Sequence, residues 1–198
     1  MPSRDADSAA SRAAAIIERT LDAAIAAHQR MRGLDLSAVA DAGDIMKTAV
    51  RSGRKILAFG NGGSAADAQH LVTELVGRFQ KERQGFAAVA LTADTALMTS
   101  VANDYGFERV FARQVEALGV AGDVAVAITT SGTSRNIVAA LESARARGLT
   151  TIALTGRDGG EAGRLAEIHI NVPEPVTARV QEVHSTLIHA LCEIVEEG

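Results

Sequence analysis

The chain has 198 residues, 47% hydrophobic and 22% charged, with a net charge of −4 at pH 7. That length and apolar content suit one folded domain with a sizeable core and exclude a disordered chain. The acidic balance, with no basic stripe, argues against a dedicated nucleic-acid binder, and a single cysteine, Cys192, excludes an intrachain disulfide.

Cys192 lies in an apolar helical stretch with no CxxC partner and reads as core filler. The N-terminal MPSRDADSAASRAAAIIERT mixes charges of both signs and leads into no apolar run of the signal-peptide kind. No window approaches the roughly 18–20 apolar residues of a membrane span. A soluble cytoplasmic protein is expected, with no membrane or nucleic-acid partner. Neither a linker nor an internal repeat divides the chain, so a single domain over 1–198 is predicted.

In chain order, residues 6–31 are Ala-rich, with Ile16, Ile17, Leu21, Ile25 and Met31 at helical spacing. A second helix is predicted over Leu36–Ser52, ended by Gly53. Short apolar runs then mark strands at Lys55–Phe59, Phe86–Leu91, Asp123–Thr129, Thr150–Leu154 and Ile168–Val172, each reading as buried on both faces. Helical patterns separate them: Ser64–Phe79, Thr95–Ala102 with Glu108–Leu118, Ser134–Arg147, and a short one after Gly160. A long helix over Ala178–Glu197 closes the chain. Strands alternating with helices predict an α/β fold, a parallel sheet covered on both faces. The pattern leaves flavodoxin-like and Rossmann-like strand order open. In either, ligands bind at the carboxyl ends of the strands.

Those ends are rich in small and hydroxylated residues. Thr129–Ser134 reads TTSGTS and leads into a helix. Backbone N–H groups at a helix N-terminus favour an anion, and hydroxyls add donors. There is no Walker lysine, so the loop suits a sugar phosphate rather than a nucleoside triphosphate. A simpler role is also open, in which Ser134 caps its helix. The first loop, Gly60-Asn61-Gly62-Gly63-Ser64-Ala65, formally matches the dinucleotide fingerprint, with Asp94 placed as a ribose-binding acid. Equally, Asn61 and Ser64 suit hydrogen bonds to a sugar, and a dinucleotide would explain neither His70 nor Glu74.

His70 and Glu74 are one helical turn apart and share a face. Such a pair chelates a divalent metal, serves as an acid/base pair, or forms an ordinary surface i,i+4 contact. The closing helix, ARVQEVHSTLIHALCEIVEEG, gathers Gln181, Glu182, His184 and His189. His189 is expected inside the apolar stripe of Leu187, Ile188, Leu191 and Ile194. Gln181 and His189 are separated by about 12 Å of helical rise, so spacing alone does not establish a shared metal.

Together, GNGGSAADAQH, ANDYGF at Ala102–Phe107, TTSGTS and RVQEVHSTLIH resemble the sedoheptulose-7-phosphate (phosphoheptose) isomerases of the sugar isomerase, or SIS, fold. The resemblance runs from about Ile56 to the C-terminus, and the two N-terminal helices fit it. It implies a three-layer αβα sandwich around a five-stranded parallel sheet in flavodoxin-like order. Residues 1–53 would form a helical pair packing on the sheet and at subunit contacts. It implies a homotetramer with active sites at those contacts, converting D-sedoheptulose 7-phosphate to D-glycero-D-manno-heptose 7-phosphate. It implies one zinc per subunit, held by His70, Glu74, Gln181 and His189. The implied substrate contacts are Asn61, Gly62, Gly63, Ser64, Asn103, Asp104, Thr129, Thr130, Ser131, Ser134 and Gln181. The chain departs from the family at Thr129-Thr130-Ser131-Gly132, where members commonly read STSG; a hydroxyl is kept and a methyl added.

The reaction moves a proton between C1 and C2 through an enediol. Glu74 is expected to remove the proton α to the carbonyl and His189 to handle the second. If both also bind zinc, they are less free as bases. Other members of the fold act as tetrameric adaptors of the replication initiator DnaA, but lack the glutamate after the Gln-His pair and the late histidine. A third reading is an SIS isomerase for another sugar phosphate.

Overall fold

Three apolar runs become the centre of a sheet. In the computed structural model, which describes residues 4–197 with side chains from residue 11, β1 (Ile56–Gly60) and β3 (Val124–Thr129) are buried along their whole length. β4 (Thr150–Gly156) is buried apart from the half-buried Thr150. The expected single domain includes residues 1–3 and 198, which lie outside the described residues. β2 (Ala88–Ala90) and β5 (Ile168–Val172) complete a five-stranded parallel sheet in the order β2-β1-β3-β4-β5. This is the flavodoxin-like order. The edge strands depart from the expected burial on both faces, because each has a neighbour on one side alone. β2 is also shorter than predicted: Phe86 donates its N–H to the Leu75 carbonyl (3.0 Å) instead of joining the sheet.

Alternation along the strands makes two cores. Ile56, Ala58, Val126, Ile128 and Ile152 face one layer, formed by α1 (Arg4–Arg32), α2 (Ser37–Arg51), α3 (Gly63–Val76) and α8 (Thr177–Glu196). Leu57, Phe59, Ala125 and Ala127 face the other, formed by α4 (Thr95–Tyr105), α5 (Ala112–Leu118), α6 (Arg135–Ala146) and α7 (Gly160–Leu165). The predicted helix over Glu108–Leu118 is broken into a 3-10 turn at Phe107–Arg109 and α5.

Of the N-terminal pair, α2 packs on α8 and the sheet, whereas α1 leans on α8. Ala27 and Met31 are buried there, His28 Nε2 lies 2.8 Å from Thr186 Oγ1, and Arg30 pairs with the buried Glu174. Apart from Met31, the apolar residues that predicted α1 are instead exposed, at 52% for Ile16, 59% for Ile17, 57% for Leu21 and 56% for Ile25. Among the described residues no helix is long and apolar enough to cross a membrane.

Candidate active site

The glycine loop turns from β1 into α3 with little room to spare. A Cβ on Gly60 would lie 2.4 Å from the Ser64 carbonyl oxygen. One on Gly63 would lie 2.2 Å from Gln181 Nε2, so only a glycine lets the Gln181 amide rest on the start of α3. Gly62 caps α3 at φ +57°, in the left-handed half of conformational space that glycine tolerates, with nothing within 4 Å of an added Cβ. Ser64 is buried.

Asn61 and Asn136 exchange amide hydrogen bonds of 2.9 and 2.8 Å, which ties this loop to the first turn of α6. Asn136 was not legible as a site residue, because its partner is 75 positions away in the chain. The hydroxylated loop is shaped by Gly132 at φ +68°, whose α-carbon packs against Gly159 and Gly160. Thr129 is buried and accepts the Gly132 N–H (3.3 Å), and Ser131 Oγ accepts the Thr133 N–H (3.3 Å). Ser134 stands at the N-cap of α6, yet its side chain makes no cap bond. Asp94 does cap: its Oδ1 accepts the Leu97 N–H at 2.9 Å, which speaks against a ribose-binding role.

The layer on the far side of the glycine loop carries the ionisable groups. α3 and α8 run side by side in the same direction, and their contacts recur about once per turn. Gly63 meets Gln181, the buried Asp67 accepts from Ser185 Oγ (3.3 Å), and His70 Nε2 lies 3.1 Å from His189 Nε2. Glu74 Oε1 is 3.2 Å from His70 Nε2. The ligand atoms of His70, Glu74 and His189 all fall within 4.8 Å of one another. Gln181 lies at the head of this seam, against Gly63, rather than with the histidine pair. The Asp67 carboxyl is pushed up by burial, partly offset by the Ser185 bond and the His70 charge, and among the described residues its Oδ2 has no hydrogen-bond partner.

One expectation is corrected. His189 is exposed on the α3-facing side of α8, not inside the apolar stripe. The buried histidine is His184, fully enclosed with Nε2 3.0 Å from the Thr155 carbonyl; burial pushes its imidazole down to about 4, and that bond pulls the other way. The stripe has a period that admits either residue, and only packing chose. Cys192 is buried as expected, its thiol raised to about 12 mainly by burial. Asn103 and Asp104 lie elsewhere: both are exposed on α4, in the opposite layer, with Asn103 Nδ2 donating to Asp104 Oδ1 (2.8 Å).

A flavodoxin-like sheet with hydroxyl-rich carboxyl-edge loops and a His-Glu-His cluster on the α3–α8 seam has the parts of a sugar-isomerase-type protein. The SIS domain matches residues 15–156, and the chain belongs to that family. Within it the chain belongs to the phosphoheptose isomerases and is an isomerase. The phosphoheptose isomerase of Aquifex aeolicus is 55% identical over 159 residues, 80% of this chain and 83% of that one. The structure of phosphoheptose isomerase GmhA from Neisseria gonorrhoeae superposes with a TM-score of 0.85 at 44% identity, covering 94% of this chain and 97% of that one. A phosphoheptose isomerase from Francisella tularensis superposes at 0.90 with 37% identity, covering 94% and 99%.

Proposed function

We propose that the chain converts D-sedoheptulose 7-phosphate to D-glycero-D-manno-heptose 7-phosphate through an enediol. The observation that carries this is the convergence of His70, Glu74 and His189 from two helices. Glu74 takes a proton from C1 while the C2 carbonyl oxygen gains one, giving the enediol. His189 then serves the return, in which a proton is added at C2 and the O1 proton leaves to form the aldehyde. Positioned groups of this kind contribute about 10²–10⁴-fold each. The phosphate is held at Thr129, Thr130, Ser131 and Ser134, where the free Ser134 hydroxyl and the α6 N-terminus suit an anion. Asn61, Gly62, Gly63, Ser64 and Gln181 line the sugar's approach, and fixing the remote end aligns C1 and C2.

His70, Glu74 and His189 offer two imidazole nitrogens and a carboxylate oxygen, a donor set that suits zinc with a position left open. A bound zinc would polarise the carbonyl oxygen as a Lewis acid. Glu74 has a second carboxylate oxygen with which to serve as base. Gln181, which rests against Gly63 at the head of the seam, would be the further ligand of the proposed set.

The reading includes a homotetramer with shared sites. The exposed Ile17, Leu21 and Ile25 face of α1 and the position of Asn103 and Asp104 across the sheet from His70 support it. A cytoplasmic location fits the lone, reduced Cys192. The test is isomerisation of sedoheptulose 7-phosphate by the purified chain, followed by NMR with and without zinc. Mixing a Glu74→Gln chain with an Asp104→Ala chain should recover activity if one site draws on two chains. No turnover in either metal condition would reject the substrate.

A further inference from the structure

The segment after α3 is held by one carboxylate. Glu196, the last residue of α8, has a side chain only 2% exposed. Burial and the negative end of the helix dipole both oppose its charge. Its Oε1 accepts the Phe79 N–H (2.9 Å) and the Arg83 Nε–H (2.9 Å). Its Oε2 accepts the N–H groups of Gln80 (2.9 Å) and Lys81 (3.0 Å). Three consecutive backbone donors converge on the carboxylate as they do in an anion-binding nest.

Two consequences reach the reacting groups. Glu196 is seven positions after His189, so both side chains leave the same face of α8. The chain gripped by Glu196 therefore runs along that face, and the Phe79 ring lands on the His189 imidazole, with centroids 5.4 Å apart and planes at 25°. The same imidazole and the His70 ring stand in a T-shaped pair, with centroids 4.8 Å apart and planes at 86°. Arg83, bound to Glu196, also donates to the carbonyls of Glu74 and Leu75 (2.9 Å each), closing the end of α3.

We propose that Glu196 is a positioning residue: its grip on residues 79–81 presses Phe79 onto His189 and so fixes the imidazole that faces His70 and Glu74. The catalytic consequence rests on the proton-transfer reading of His189; the packing consequence does not. Phe79 covers one ring face, which leaves His189 a narrow range of rotation and keeps its Nε2 aimed at the cluster.

The experiment reads both on the full-length chain. With metal removed by chelation, the His189 ring protons are followed by NMR in histidine-labelled protein, assigned by their loss in His189→Ala. In the native chain they should be shifted upfield by the Phe79 ring current. Phe79→Leu and Glu196→Gln should each abolish that shift, while Glu82→Gln, in the same segment but with 90% side-chain exposure, should keep it. In turnover, both variants should lower kcat by on the order of tenfold with KM little changed. The double variant should be no slower than Phe79→Leu alone, since the two act through one contact. Should Glu196→Gln not fold, Glu196→Asp, one methylene too short to reach the whole N–H row, should also lose the shift. A retained upfield shift in a folded Glu196 variant would overturn the proposal, as would kcat losses that multiply in the double variant. A native chain that shows the ring-current shift but no isomerisation would reject the role of His189 and leave the Glu196–Phe79 clamp standing.

Discussion

In the carboxyl-edge loops backbone rests on backbone: Gly132 against Gly159 and Gly160, Gly60 against the Ser64 carbonyl. Along the α3–α8 seam side chains meet side chains: Asp67 with Ser185, His70 with His189 and Glu74, Phe79 with His189. The loops thus have a shape that survives loss of a hydroxyl but not of a glycine. On the proposed reading the seam's chemistry depends on its ionisable groups, whereas its helices would persist without them. Binding is then built into main-chain geometry, and proton transfer into rotamers, on that same proposed reading.

The largest effect expected from breaking this division is in the seam. Glu74→Gln or His189→Ala should cut turnover by at least about 10²-fold, with circular dichroism and oligomer size unchanged. Next is acid stability. His184 is held neutral, so its folded value, about 4, lies below the unfolded one, about 6.5. Its contribution is full above about 6.5 and is lost as pH falls toward 4, at a cost of up to about 3 kcal/mol. Glu196 adds a lower limb: burial raises its carboxyl, but the Lys81, Gln80 and Phe79 N–H bonds and the Arg83 charge bring it down to about 2. Its stabilisation is present above the ordinary carboxylate range and disappears as pH falls through about 2. Urea unfolding against pH should show both limbs, and Glu196→Gln should remove the lower one.

Smaller effects sharpen the loop side. Gly63→Ala forces Gln181 off α3 and should cost about 1–3 kcal/mol, as overpacking does, while raising KM. Asn136→Ala leaves the Asn61 amide without its partner; a loss of about 1–2 kcal/mol in thermal unfolding is expected, with weaker substrate binding. Thr130→Val should change stability by less than about 0.5 kcal/mol, because its hydroxyl makes no intramolecular bond among the described residues, yet raise KM if that hydroxyl meets phosphate. An unchanged KM there would remove Thr130 from the binding loop.

Much of this was legible in the residues. Continuous apolar runs announced β1, β3 and β4, and β5 falls on the predicted Ile168–Val172. The i,i+4 spacing put His70 and Glu74 on one face, and the loops stand at the carboxyl edge where parallel strands must end. What stayed hidden depends on partners distant in the chain. Asn136 joins the candidate site through Asn61, and Glu196 is proposed to act on it through Phe79, separated by 117 positions. His184 and His189 look alike in a helical pattern, and only the packing of α8 against both α3 and the sheet buries one and presents the other.

The sequence by itself determined the alternation of elements, the glycines of the turns and the types of side chain available for chemistry, because these follow from local sterics and periodicity. The tertiary structure decided the strand order, the registry of α3 against α8 and hence which histidine meets His70. Registry is a property of two surfaces in contact, and a one-turn slide of either helix would keep every local preference satisfied while separating His70 from His189.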